Sequence, residues 1–146
     1  HESGSGPQPG IRLLDGTFSA FYLNFTLPPD YTPGGDVWVD ILWHTSATNC
    51  NVVFTPNAMS VARRGRTHIT GPAPESGITV IGGTQLQAPA TSNESSLVEV
   101  DLAAPDGVTA LQPFDAITFS LYRQGTAVND TCAADQMLQG FLVRYE

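Results

Sequence analysis

An amino-terminal histidine can chelate copper through its α-amine and imidazole, and this chain opens on His1. A second histidine must reach the same ion, and His44 and His68 are the two that exist. Square-planar copper is held on a rigid frame. The Gly/Ser-rich stretch behind His1 does not supply one, so the expectation is no resident metal and no cofactor. A first residue other than Met also implies an earlier signal or pro-segment, an upstream stretch, or a tag.

Nucleophilic chemistry finds no better footing. None of the serines sits in a G-x-S-x-G elbow, and no Ser/His/Asp order stands out. Glycoside hydrolysis needs two acids projecting into one cleft. Asp36, Asp40, Glu99 and Asp101 read instead as solvated strand faces. Gly82-Gly83 is a turn, because no GK[ST] or strand-to-helix switch follows it. The sequence predicts a protein that is not an enzyme.

Cys50 and Cys132 lack CxxC spacing, which disfavours a zinc or thioredoxin-type site. One structural disulfide is the expected reading, and two buried free thiols in a reducing compartment are the alternative. Asn24, Asn93 and Asn129 each open an Asn-x-Ser/Thr sequon and are glycan acceptors in a cell that glycosylates secreted chains. Tyr22 and Trp38 fall on strand faces opposite the strongest apolar stripes. A planar ring there stacks on sugars or packs at a subunit interface, unless both faces of its strand are covered.

The elements that must position these groups are strands. Hydrophobic residues make up 41% of the 146, enough for one core. Charged residues are only 14%, the six basic ones are all arginine, and the net charge is -8. A phosphate backbone would be repelled unless one face gathered the arginines, and only Arg63, Arg64 and Arg66 lie close together. Nucleic acid is therefore not an expected partner. Acidity also argues against anionic lipid, and the chain has no run of about 18 apolar residues for membrane insertion.

The opening HESGSGPQPG has no apolar periodicity, and residues 1–16 are assigned to a flexible N-terminal arm or linker. Residues 17–146 form a single domain. Ser19, Phe21, Leu23, Phe25 and Leu27 alternate toward one face, followed by Val37, Val39, Ile41 and Trp43. Shorter runs come at Val52–Phe54, Met59–Val61, Ile78–Ile81 and Thr84–Ala88. Val98, Val100 and Leu102, then Ile117, Phe119 and Leu121, then Phe141, Val143 and Tyr145 supply the later inward faces. The best helical candidate, Ala133–Leu138, is barely a turn and a half. About eight short strands between Gly/Pro/Asn/Asp clusters predict an all-β, antiparallel two-sheet sandwich or barrel.

The string Phe114-Asp115-Ala116-Ile117-Thr118-Phe119-Ser120-Leu121-Tyr122-Arg123-Gln124-Gly125, then Asn129-Asp130-Thr131 and Leu138–Tyr145, resembles the last two strands of small jelly-roll domains in bacteriophage tail-fibre and other virion proteins. Leu27–Tyr31, Val39–Trp43 and Asn51–Phe54 are similar to earlier elements of the same family, so the likeness extends from about residue 17 to 145. It implies a jelly-roll β-sandwich of about eight strands that serves as a structural or receptor-facing module, commonly displayed as a homotrimer. Cys50 and Cys132 depart from the pattern. If their sites are neighbours, as the resemblance implies, a bridge between them would pin two loops at one end of the sandwich and suit an oxidising setting.

The expectation is thus a structural subunit of a virion or extracellular assembly, such as a decoration, fibre or filament protein. Its partners are other copies of itself and other subunits, and its place is extracellular or on a virion surface. The arm could add a strand to a neighbour's sheet edge, anchored by Ile11, Leu13 and Leu14. A carbohydrate-binding or adhesive module for surface glycans is the alternative, and a copper protein built on His1 the minor one.

Overall fold

Period-two patterning becomes strand wherever the sequence carries it over more than a few residues. The structure, a computed structural model, describes residues 11–63, 65, 69–70, 76–105 and 107–146. Ten strands lie among them: β1 (Ile11–Leu13), β2 (Phe18–Thr26), β3 (Val37–Thr45), β4 (Asn51–Ala62), β5 (Ile69–Thr70), β6 (Ile78–Val80), β7 (Gln85–Gln87), β8 (Ser96–Leu102), β9 (Ala116–Gln124) and β10 (Gln136–Tyr145). Every pairing is antiparallel. The first sheet runs β1-β10-β3-β8-β6, and the second runs β2-β9-β4-β5, with β7 paired to the start of β4.

Inward residues of both sheets make one core. Val37, Val39, Ile41 and Trp43 of β3 are buried, as are Val98, Val100 and Leu102 beside them on β8. Across the gap lie Phe21 and Leu23 of β2, Phe54, Met59 and Val61 of β4, and Ile117, Phe119 and Leu121 of β9. Trp43 and Phe54, both fully buried, meet edge to face at 5.6 Å and tie the sheets together. Truncating such a ring to Ala costs about 3–5 kcal/mol, because the cavity collapses only in part.

Four departures from the sequence reading have physical causes. Ile11–Leu13 belongs to the fold: Leu13 is buried and pairs with Gln136, so the first strand among the described residues lies inside the 1–16 arm assignment. Two short apolar runs are one twelve-residue strand, β4, which passes Pro56 by a bulge at Asn57 where a missing N–H does least harm. Gln136 and Met137, inside the best helical candidate, extend the last strand at its start, since β1 and β3 satisfy their backbone on both sides. No helix lies among the described residues, and hence none long and apolar enough to cross a membrane. Finally, Phe141 and Tyr145 are 44% and 40% exposed although they pair with inward Ile41 and Val37, because β1 stops at Leu138 and leaves that flank of β10 without a strand among the described residues.

Two arginine pairs lock the loops. Arg63, just past β4, donates from Nε and Nη2 to both oxygens of fully buried Asp115 at 2.7 and 2.6 Å, and Nη2 also donates to the Ala110 carbonyl. The Asp115 carboxylate holds the Arg63 guanidinium above its ordinary value. The second pair, at the other end of β9, belongs to the site.

Candidate functional site: a stapled end and two unlike outer faces

The last inward position of β9 is Arg123, and the sequence there would bury a bare cation. The residues that follow provide its partners. Asp130, itself fully buried, accepts from Arg123 Nε and Nη2 at 3.1 and 2.8 Å, while the Cys132 and Ala134 carbonyls accept at 2.6 and 2.9 Å. Asp15 of the β1–β2 turn adds a contact at 3.2 Å. A buried ion pair is tolerated only when its remaining donors are satisfied this fully. Asp130 also accepts from the Val53 amide, and Thr131 exchanges hydrogen bonds with Asn51. This docking sets Cys132 beside Cys50, and the two form a disulfide with Cα atoms 5.0 Å apart. The bridge pins the loop before β4 to the β9–β10 loop. His44 and Gln136 lie at the same end of the first sheet, and neither His44 ring nitrogen has a hydrogen-bond partner among the described residues.

The outer face of the first sheet is divided. Toward its Val37 end, Arg144 bridges Asp40 at 2.8 and 2.9 Å and Glu99 at 3.0 Å, across three neighbouring strands. Asp40 and Glu99 together hold the Arg144 guanidinium above its ordinary value, Asp40 contributing most. The guanidinium stands 5.5 Å from the centre of the Trp38 ring, so Trp38 is half-buried under it. Beside Trp38, burial pushes the Asp101 carboxyl up, helped by the nearby carboxylates of Asp36 and Glu99. Toward the other end the charges stop. Leu42, Leu97 and Leu142 lie on β3, β8 and β10, and with Gly140, Phe141 and the bordering Asp40 they line a shallow concavity of about 350 Å³. Leu97 and Leu142 are more than half exposed.

The second sheet's outer face differs in kind. Outward positions are Phe18, Ala20, Tyr22, Asn24 and Thr26 on β2, Thr118, Ser120, Tyr122 and Gln124 on β9, and Thr55, Ala58 and Ser60 on β4. None of them carries a charge, in a chain whose net charge is -8. Tyr22 is 59% exposed and Phe18 62%, and Phe18 meets the Tyr122 ring at 5.5 Å. Thr118 donates to Asn24 Oδ1 at 2.6 Å and Asn57 donates to Ser120 at 3.0 Å, which fixes both amides.

No family model, curated protein or solved structure matches this chain.

The sequence-predicted residues are thus dispersed. Tyr22 and Trp38 both point outward, but on opposite faces of the sandwich, so no ligand touches both. Of the candidate anchors, Leu13 is buried in its own sheet while Ile11 and Leu14 are exposed. Asn24 lies mid-strand on β2; Asn93 and Asn129 lie in exposed loops, Asn93 with φ 60°. His44 is buried, and His1 and His68 lie outside the described residues. Among the described residues no three His, Cys, Asp or Glu side chains gather as a metal site. Arg64 and Arg66 lie outside the described residues, and Arg63 is committed to Asp115. Sequence reading missed Phe18, Tyr122 and the Leu42–Leu97–Leu142 cluster. The signal was present: Phe18, Ala20, Tyr22 and Asn24 share one strand parity, as do Thr118, Ser120 and Tyr122.

Proposed function

We propose that this domain is a jelly-roll structural subunit of a virion or other extracellular assembly, working through contacts between copies rather than by catalysis. The apolar cluster of Leu42, Leu97, Leu142 and Phe141 carries the reading. Single exposed apolar residues are ordinary, but a contiguous group of large ones beside an unpaired strand flank marks an interaction surface. The flank of β10 over residues 139–145 bears one charge, Arg144, which Asp40 and Glu99 already engage.

Strand order supports the fold-type part. β1-β10-β3-β8 against β2-β9-β4-β5 is the order that two nested Greek keys produce, the arrangement of an eight-stranded jelly roll, with β6 and β7 as short additions. The Cys50–Cys132 bridge suits an oxidising location. Because Ile11 pairs with Leu138, any chain added in register ahead of Ile11 would run along residues 139–145. The arm exchanged from a neighbouring copy is therefore a natural occupant of that flank.

Light scattering and sedimentation of the purified protein test this. The expected result is a stable oligomer, with a trimer as the favoured state, that Leu142→Asp reduces to folded monomer. A monomer at every concentration tried would sink the reading. Deleting residues 1–10 separates the two contact modes: loss of assembly supports arm exchange, and retained assembly leaves the apolar cluster as the contact.

A further inference from the structure

We propose that the outer face of the second sheet is a binding platform for neutral glycan chains. This is independent of the assembly reading, which uses the opposite face. Sugar rings present apolar C–H faces and a rim of hydroxyls, so a site for them needs exposed aromatic planes interleaved with uncharged donors and acceptors. β2 provides that alternation. Phe18 and Tyr22 are four residues apart on one strand parity, about 13 Å along the strand, with Ala20 between them as a low floor. Tyr122, paired with Ala20, closes the space beside them. Asn24, Thr118, Thr55 and Asn57 supply the polar atoms, and because Asn24 Oδ1 accepts from Thr118, its two amide N–H groups are left as donors.

A second observation extends the platform. At the Thr26 end of the same strand, Phe114 is 63% exposed with φ 65°, a left-handed conformation that is strained for a bulky residue. Two contacts hold it there. Its amide donates to the Leu27 carbonyl, and the next residue, Asp115, is clamped by Arg63. With Thr26, Arg63 and Pro113 it lines a concavity of about 480 Å³. Strain of this kind persists where the surrounding structure holds it, and here it displays a ring to solvent beside the Thr26 end of β2.

Charge selects the class of glycan. A chain with net charge -8 repels sialylated or sulfated sugars; the described outward residues of β2, β9 and β4 include no cation, and Arg63, at the edge of the platform, is already paired with Asp115. A second copy is the poorer occupant, because hydroxyls and amides cover most of the face and an interface between copies would have to pair them all.

The test uses the full chain on an array of neutral oligosaccharides (gluco, galacto and manno series) beside sialylated and sulfated ones. Expected is binding confined to neutral members and insensitive to salt. Tyr22→Ala and Phe18→Ala should each weaken it roughly three- to tenfold, the scale of one lost aromatic contact, and the double variant should abolish it. Phe114→Gly guards against misfolding: glycine relieves the strained φ, so the melting temperature should hold or rise while affinity falls. Leu142→Asp should leave glycan binding unchanged. Absence of any neutral ligand at millimolar concentration would overturn the proposal. So would preference for acidic glycans, binding unchanged in the ring variants, or loss of the oligomer on Tyr22→Ala.

Discussion

Replacing both cysteines with alanine should destabilise this domain by about 4–5 kcal/mol through the unfolded chain alone. The bridge joins residues 82 apart. In the loop-entropy account, a cross-link closing a loop of that size removes about 4.5 kcal/mol of denatured-state entropy at 25 °C. For a domain of this length that is about 15 °C in melting temperature. The native side of the balance should hardly move, because the same two segments are held without the sulfurs. The Val53 amide donates to Asp130 at 3.1 Å, the Asn51 amide to Thr131 Oγ1 at 2.9 Å, the Thr131 amide to the Asn51 carbonyl at 2.8 Å, and Arg123 binds Asp130 at 2.8 Å. Urea unfolding of the oxidised protein and of the Cys50→Ala/Cys132→Ala variant, followed by fluorescence, measures the difference. Two changes are expected together: a lower midpoint, and a steeper denaturant dependence because the uncrosslinked chain exposes more surface when unfolded. A loss below about 1 kcal/mol, or an altered near-ultraviolet spectrum of the folded variant, would refute the reasoning. Either result would place the effect of the bridge in the folded state or remove it.

Other perturbations separate buried from exposed electrostatics. Arg123→Met should cost about 3–5 kcal/mol in urea titration, since it strands the buried Asp130 carboxylate; a neutral result would mean water reaches Asp130. Arg144→Ala should leave the melting temperature nearly unchanged, because its pairs are exposed, yet it should red-shift tryptophan emission as Trp38 loses its cover while Trp43 stays buried. Asp101→Asn tests the sign of a raised carboxyl pKa. The stability that Asp101 gains by holding a proton is fully present below the unfolded value and is lost as pH rises through the higher folded one, so the Asn variant should melt higher at pH 7 and match the parent near pH 3. The Asp135 carboxyl runs the other way. The Asp15 amide and then Arg12 hold it below its usual range, so its contribution is present above the unfolded value and falls away as acid titrates it. Asp135→Asn should therefore lower the melting temperature at pH 7 and do little in acid.

What could be read in the sequence was whatever local parity decides. Val37, Val39, Ile41 and Trp43 are buried because one strand alternates, and no knowledge of the partner strand is needed to see it. The two-sheet antiparallel architecture follows from repeating that pattern. Parity failed where a second strand had to be known. The three residues of β1 are too few to show a period, and they count as strand only because β10 pairs with them. β4 looked broken at Pro56 because a bulge is a property of the pair, not of the sequence. The same limit governed the site. Tyr22 and Trp38 were both legible as outward, yet which sheet each belongs to is a matter of topology, and topology sets them on opposite faces. Arg123 was the least legible residue. An inward arginine on a strand reads as an error until Asp130, the Cys132 and Ala134 carbonyls and Asp15 converge on it from two segments. That convergence also explains how Cys50 and Cys132 meet. The cation holds the β9–β10 loop through Asp130 and two of its carbonyls, and that loop carries Cys132 to within bonding distance of Cys50. Arg123→Met in the cysteine-free background should then lose the docking of residues 126–135, readable as new amide exchange there, whereas removing the sulfurs alone should not.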